Sequence, residues 1–150
     1  MGRVERDPER CPVCRVRTWG AKKGGEALRG PRVFGVKAPK EGLRVWEVEG
    51  EVRRVYWLSG MEGVHGRHAL KEQETWMFGV SGEVEVELKD GRGEEERYRL
   101  VGGEGLYVPG GWWREARGIV EGSVLMCLAS TEYDEGDYIR EWGSFVEWAK

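Results

Sequence analysis

The sequence contains two histidines, His65 and His68, set three residues apart in GVHGRHALK. If that stretch is a strand, alternation puts His68 and Leu70 on one face and His65 on the other, unless a bulge at Gly66 resets the phase. A second candidate is Arg114, in GEGLYVPGGWWREA, where Gly103 and Gly105 permit one tight turn and Pro109, Gly110 and Gly111 permit the next. Its guanidinium can clamp a phosphate or carboxylate with two parallel hydrogen bonds, or it can pair with Glu74 or Glu115. For an isolated arginine near carboxylates, the ion pair is the expectation. Cys11 and Cys14, in CPVC, have the spacing of half a structural zinc site, which needs two further ligands. A pair from each subunit of a dimer would complete it, and a redox role is open, but two unconnected thiols in a loose tail is the plainer expectation.

The elements that must position these groups are short. LRVWEV, VRRVYWL, TWMFGV, EVEVEL, RYRLV, GLYV and SVLMCLA alternate apolar and polar residues and are separated by glycine, so they predict strands. SGE and KDGRGEEE read as hairpin links, with Asp90-Gly91 the clearest turn signal. Many short strands of this kind predict an all-β sandwich or barrel, in which a partner sheet covers each apolar face. DYIREWGSFVEWAK breaks the rhythm, with Ile139, Trp142, Phe145, Val146 and Ala149 along one side of a helix that packs on the barrel or on a second subunit. Residues 1–31 lack apolar periodicity and read as a flexible extension carrying the CxxC pair, which leaves 32–150 as one domain.

Bulk properties agree with a single domain. Hydrophobic residues make up 39% and charged residues 34%, with eight tryptophans and 24 glycines, so the chain is soluble and turns often. No run approaches the length of a membrane span and no apolar signal segment opens the chain, so a cytoplasmic protein is expected. Three cysteines, one of them Cys127 inside VLMCLA, argue for reduced thiols. The net charge of −3 is uneven: residues 1–30 hold eight of the 24 Lys+Arg and four of the 27 Asp+Glu, leaving 16 against 23. A basic arm invites a nucleic-acid role, yet no stacked aromatics or basic stripe support one, and a solvated tail is the expectation. The absence of asparagine and the single glutamine, Gln73, suit a heat-adapted source or GC-rich codon usage.

The spacing of GVHGRHALKEQETWMFGVSGE and GEGLYVPGGWWREA resembles the two cupin motifs. The first is built around His-x-His with a following Glu and Gly, the second around Gly, Pro-x-Gly and a later His. His68, Glu74 and Gly82 match the first; Leu70 takes the place of its second histidine, and Arg114 that of the later one. Neither leucine nor arginine binds a divalent cation, so no metal is expected in the barrel. With the flanks RVYWLSGMEGVHGRHALK, LKDG, GLYVPGGWWRE and LMCLASTEYDEGDYIREWGSFVEW, the chain over roughly 33–148 is similar to the WxcM-like, FdtA-type cupin sugar 3,4-ketoisomerases. These act on nucleotide-linked 4-keto-6-deoxyhexoses.

The resemblance implies a double-stranded β-helix of the cupin, RmlC-like jelly-roll type with a short C-terminal helix, assembled as a homodimer. It implies proton transfer between adjacent sugar carbons through an enediol, without metal or redox cofactor, to supply deoxy-amino sugars for polysaccharide. His68 then corresponds to the proton shuttle and Tyr56 to the tyrosine lining the sugar pocket. Arg54 and Lys71 match basic positions that serve the substrate's charge or the barrel's own ion pairs, and Arg114, standing where the family has a histidine, is the substrate-binding candidate that its clamp geometry allows. Trp113, of the Trp112-Trp113 pair, is the candidate wall for a base or sugar ring; one of the two should face outward, and simple burial explains the other well. The expected partner is a nucleotide sugar, most simply dTDP-linked, with neither nucleic acid nor membrane. Leu70 and Arg114 also admit a non-catalytic cupin that binds a nucleotide sugar or a related small molecule, and an ion at His68 would revive a metal-dependent one.

Overall fold

The computed structural model describes residues 30–150. Ten strands and one helix follow in order: β1 (Arg32–Phe34), β2 (Arg54–Leu58), β3 (His65–Leu70), β4 (Thr75–Ser81), β5 (Glu83–Lys89), β6 (Glu95–Val101), β7 (Gly105–Val108), β8 (Trp112–Gly118), β9 (Val124–Ala129), β10 (Tyr138–Ile139) and α1 (Trp142–Trp148). They form two antiparallel five-stranded sheets, ordered β1-β7-β4-β9-β2 and β10-β3-β8-β5-β6. This is the jelly-roll sandwich that the alternating pattern predicts.

Alternation along each strand divides the apolar residues into three groups. Met77, Leu106, Val108, Leu125 and Cys127 from one sheet meet Val84, Val86, Leu88, Leu100 and Ala116 from the other in the central core. Trp76, Phe78 and Tyr107 turn to the outer face of the first sheet, where Phe34, Trp46 and Val48 cover them. Ala69 and Trp113 turn to the outer face of the second sheet, where Ile139, Phe145 and Ala149 cover them. Helix α1 therefore packs on the barrel, with Phe145 as its fully buried anchor.

Three local expectations change. LRVWEV contributes only one isolated bridge, Val45 to Lys37, and Trp46 with Val48 lies over the outer face as a lid, pinned by Trp46 Nε1 donating to the Gly103 carbonyl at 2.6 Å. The helix is shorter than its apolar stripe, because Ile139 belongs to β10 and pairs with Ala69. The sequence stretches of β3 and β8 do not alternate simply, since each carries polar groups on its inner face. The Asp90-Gly91 hairpin is as expected, with Asp90 Oδ1 accepting from the Arg92 and Glu94 amides at 2.7 and 3.0 Å. Residues 1–29, including Cys11 and Cys14, lie outside the described residues.

Candidate active site

Between the two sheets, beside the apolar core, the inner faces carry a polar group of unusual composition. On β2, Arg54 and Tyr56 face inward, opposite Ala129 and Cys127 of β9. On β8, Arg114 shares the inner face with Ala116 and lies opposite Leu88. His68 stands directly opposite Arg114 across the β3–β8 ladder. The pairing shifts between Gly66 and His68, so β3 carries a bulge at the position where the sequence permits one.

A chain of hydrogen bonds joins the two arginines. Arg54 Nη2 donates to Gln73 Oε1 at 2.6 Å, Gln73 Nε2 to Thr75 Oγ1 at 3.0 Å, and Arg114 Nη1 to the same hydroxyl at 2.9 Å. Gln73 and Thr75 are fully buried. The guanidinium of Arg54 also lies over the rings of Tyr56 and Tyr133. Contrary to expectation, Arg114 makes no ion pair among the described residues. Glu74 instead accepts from the Tyr107 hydroxyl of the outer face, and Glu115 from Trp113 Nε1 at 3.1 Å. Both carboxylates are drawn outward by strand parity, which leaves two cations facing neutral partners.

Electrostatics follow from that burial. Desolvation pulls the Arg114 pKa below its usual value, opposed by Tyr56, Cys127, Tyr138 and Asp137, and a guanidinium stays charged nonetheless. His68 is lowered from 6.5 to about 4, first by desolvation, with a backbone contact at Gly66 working against it and the Arg114 and Arg140 charges reinforcing it. Its imidazole is neutral at pH 7 and able to accept a proton. Burial raises the Tyr56 hydroxyl well above its usual value, and Cys127, with which it hydrogen-bonds, adds to the rise. Tyr56 is a fixed neutral donor, and the Cys127 thiol, pushed up to about 12, is inert.

Four buried side-chain atoms lack a hydrogen-bond partner among the described residues: Arg54 Nε, His65 Nε2, His68 Nδ1 and Arg114 Nε. Native interiors rarely leave such atoms orphaned, and three of the four belong to the adjacent strands β3 and β8 and one to β2 of the facing sheet, so these strands are candidates to line a place for a polar ligand. Two cations, a neutral imidazole and a phenol suit an anion and a developing oxyanion. No group of three or more His, Cys, Asp or Glu among the described residues is placed to hold a metal. A cleft of about 340 Å³ near α1, lined by Asp90, Arg92, Gly110, Gly111, Trp112, Trp148 and Ala149, shares no residue with these four atoms.

The remaining sequence candidates lie elsewhere. Trp113 is on the outer face under α1, its ring centroid 5.8 Å from that of Phe145, so parity places it away from His68 and makes it core. Lys71, just past β3, donates from Nζ to the Gly136 carbonyl at 3.0 Å and ties the barrel rim to the 3₁₀ turn Glu135–Asp137. Sequence reasoning missed Gln73, Thr75 and Tyr138, whose ring centroid lies 5.0 Å from that of His68. Gln73 had a signal, as the single glutamine in a chain without asparagine.

Residues 40–150 match the family described as WxcM-like, C-terminal (FdtA). The chain belongs to this family. It is 34% identical over 99 residues to TDP-4-oxo-6-deoxy-alpha-D-glucose-3,4-oxoisomerase of Aneurinibacillus thermoaerophilus, covering 65% of this chain and 71% of the relative. Among solved structures it is similar to QdtA, a sugar 3,4-ketoisomerase from Thermoanaerobacterium thermosaccharolyticum in complex with TDP. That likeness has a TM-score of 0.71 and 29% identity over 82% of this chain and 96% of QdtA. WlaRB, a TDP-quinovose 3,4-ketoisomerase from Campylobacter jejuni, gives a TM-score of 0.71 and 28% identity over 80% and 99% of the two chains.

Proposed function

We propose that this protein is a sugar 3,4-ketoisomerase acting on a TDP-linked 4-keto-6-deoxyhexose by metal-free proton transfer, as a step toward deoxy-amino sugars for polysaccharide. The observation that carries the proposal is the pairing of His68 directly opposite the buried Arg114 across the β3–β8 ladder, with His68 Nδ1 and Arg114 Nε both left without a hydrogen-bond partner. His68 removes the proton from carbon 3, whose bonding pair becomes the carbon 3–carbon 4 double bond. The carbonyl pair moves to oxygen 4, where the Arg114 guanidinium and the Tyr56 hydroxyl donate to it. Oxygen 4 gains a proton as oxygen 3 gives one up, the ketone forms at carbon 3, and carbon 4 takes a proton from His68. Each atom lost at one carbon is regained at the other, so no oxidant is needed.

Arg54, held by Gln73, supplies a second positive charge for the anionic substrate. Lys71, whose Nζ donates to the Gly136 carbonyl at the rim, is assigned in this reading to the diphosphate outside the barrel. The partner is a small nucleotide sugar rather than a nucleic acid or a membrane, and no helix among the described residues is long and apolar enough to cross one. A cytoplasmic homodimer of 32–150 domains, each with its 1–31 extension, completes the proposal. Val55 and Trp57, 54% and 67% exposed on the outer face of edge strand β2, support burial against a second copy.

Leu70, fully buried on the inner face, favours a second possibility: a barrel that binds the nucleotide sugar without turning it over. Incubation with TDP-4-keto-6-deoxyglucose, followed by carbon NMR, separates the two. Movement of the ketone signal to carbon 3 supports the isomerase; tight binding with an unchanged spectrum supports the alternative.

A further inference from the structure

In a regular strand His65 and His68, three residues apart, would face opposite sides of the sheet. The β3–β8 ladder departs from that rule. His65 pairs with Ala116 and His68 with Arg114, so three steps along β3 match two along β8. The extra residue is absorbed at Gly66 and Arg67, whose φ angles are 89° and 53°. Directly opposed residues share a face, and Ala116 belongs to the apolar interior. His65 therefore points inward beside His68, at the roughly 7 Å separation of alternate strand residues.

The bulge is held in place. A Cβ on Gly66 would stand 2.9 Å from the Arg114 carbonyl oxygen, and Arg67 is the one non-glycine with positive φ among the described residues. Such backbone persists where its surroundings enforce it, and it gathers at functional positions. The ring it delivers is unsatisfied: His65 Nε2 is buried without a partner. A histidine kept only for packing would find one.

Ketone transfer between neighbouring carbons moves two protons, one from carbon 3 to carbon 4 and one from oxygen 3 to oxygen 4. His68, opposite the Arg114 guanidinium, is placed for the carbon proton. We propose that His65 is the second proton-transfer residue of the isomerisation, taking the hydroxyl proton from oxygen 3 and returning it to oxygen 4. The imidazole ends as it began, and no electrons leave the sugar. This assignment rests on the isomerase proposal and adds a catalytic residue to it.

The test compares the native chain, His65→Asn, and His65→Asn combined with Leu70→His. Leu70 lies on the inner face two residues beyond His68, so the second change restores an imidazole at matching spacing on the other side. Thermal protection by TDP-glucose reports binding, deuterium entry at carbon 3 in heavy water reports the carbon proton, and NMR of the ketone reports net transfer. His65→Asn is expected to keep the protection and the deuterium entry while net transfer falls at least about 100-fold, and the Leu70→His addition to return about tenfold or more. Net transfer within about fivefold of native overturns the assignment. So does loss of the TDP-glucose protection, which would make His65 a packing residue. A native chain that binds TDP-glucose but moves no ketone removes the isomerase proposal, and this assignment with it.

Discussion

Replacing Arg114 with methionine should make the free protein more stable and the liganded protein less so. The side chain is 3% exposed, donates to the Thr75 hydroxyl at 2.9 Å and the Trp112 carbonyl at 3.4 Å, and leaves Nε without a partner. No carboxylate among the described residues pairs with it directly, and the favourable field of Asp137 is outweighed by desolvation. Burial of a charge costs several kcal/mol, and two hydrogen bonds to neutral acceptors offset only part of that cost. Methionine keeps the buried hydrocarbon of the arginine stem, and Thr75 Oγ1 still accepts from Gln73. The net change is a gain of about 1–3 kcal/mol, as when buried charges are exchanged for hydrocarbon. For a domain of this size that is a rise in Tm of roughly 4–12 °C. The same substitution removes the proposed charged donor to the ligand, which should cost about 2–5 kcal/mol of affinity. Differential scanning fluorimetry with and without TDP-glucose reads both. Arg114→Met that melts lower than the native chain, or that keeps its full protection by TDP-glucose, refutes the reasoning, because the guanidinium would then be a structural group with a partner.

His68 should make stability depend on pH. The unfolded chain takes up the imidazole proton near 6.5 and the folded chain only near 4, so unfolding binds a proton between those values. The contribution, about 2 kcal/mol after solvent screening, is fully present above pH 6.5 and lost as pH falls to 4; His68→Asn should flatten denaturant midpoints across that window. Tyr56→Phe should lower kcat about 100-fold with KM little changed, since it removes one proposed donor to the oxyanion; an unchanged kcat would contradict that role. Gly66→Ala places a Cβ 2.9 Å from the Arg114 carbonyl oxygen at a φ of 89°, and should cost about 1–3 kcal/mol in chemical denaturation together with most of the activity. A variant as stable and active as the native chain would mean that the bulge positions nothing.

Much of the fold was legible because the strands are short, rich in β-branched and aromatic residues and bounded by glycine. EVEVEL announces β5 by alternation, TWMFGV and SVLMCLA announce β4 and β9 as short apolar runs, and Asp90-Gly91 announces the β5–β6 hairpin. LRVWEV has the same alternation and misleads, since Trp46 and Val48 bury themselves as a lid rather than in a ladder. The polar inner face hides β8, whose Arg114 reads as a surface residue until Leu88 and Thr75 are seen beside it. Trp112 and Trp113 are chemically alike, so only the ladder register decides which lies under α1. The direction of His65 was undecidable for a related reason: glycine at 66 accepts both the regular and the bulged backbone, and the choice is made by pairing with a strand nearly fifty residues away. Gln73 and Thr75 become a bridge only once Arg54 and Arg114 converge on them.

The central claim is that the His68 ring moves a proton on the sugar carbon. Proton NMR of TDP-4-keto-6-deoxyglucose in heavy water measures this directly, with the native chain beside His68→Asn. The account predicts deuterium at carbon 3 of the recovered substrate and at carbon 4 of the 3-keto product with the native protein and none above background with the variant, both being protected by TDP-glucose. Equal exchange in the two proteins would contradict it.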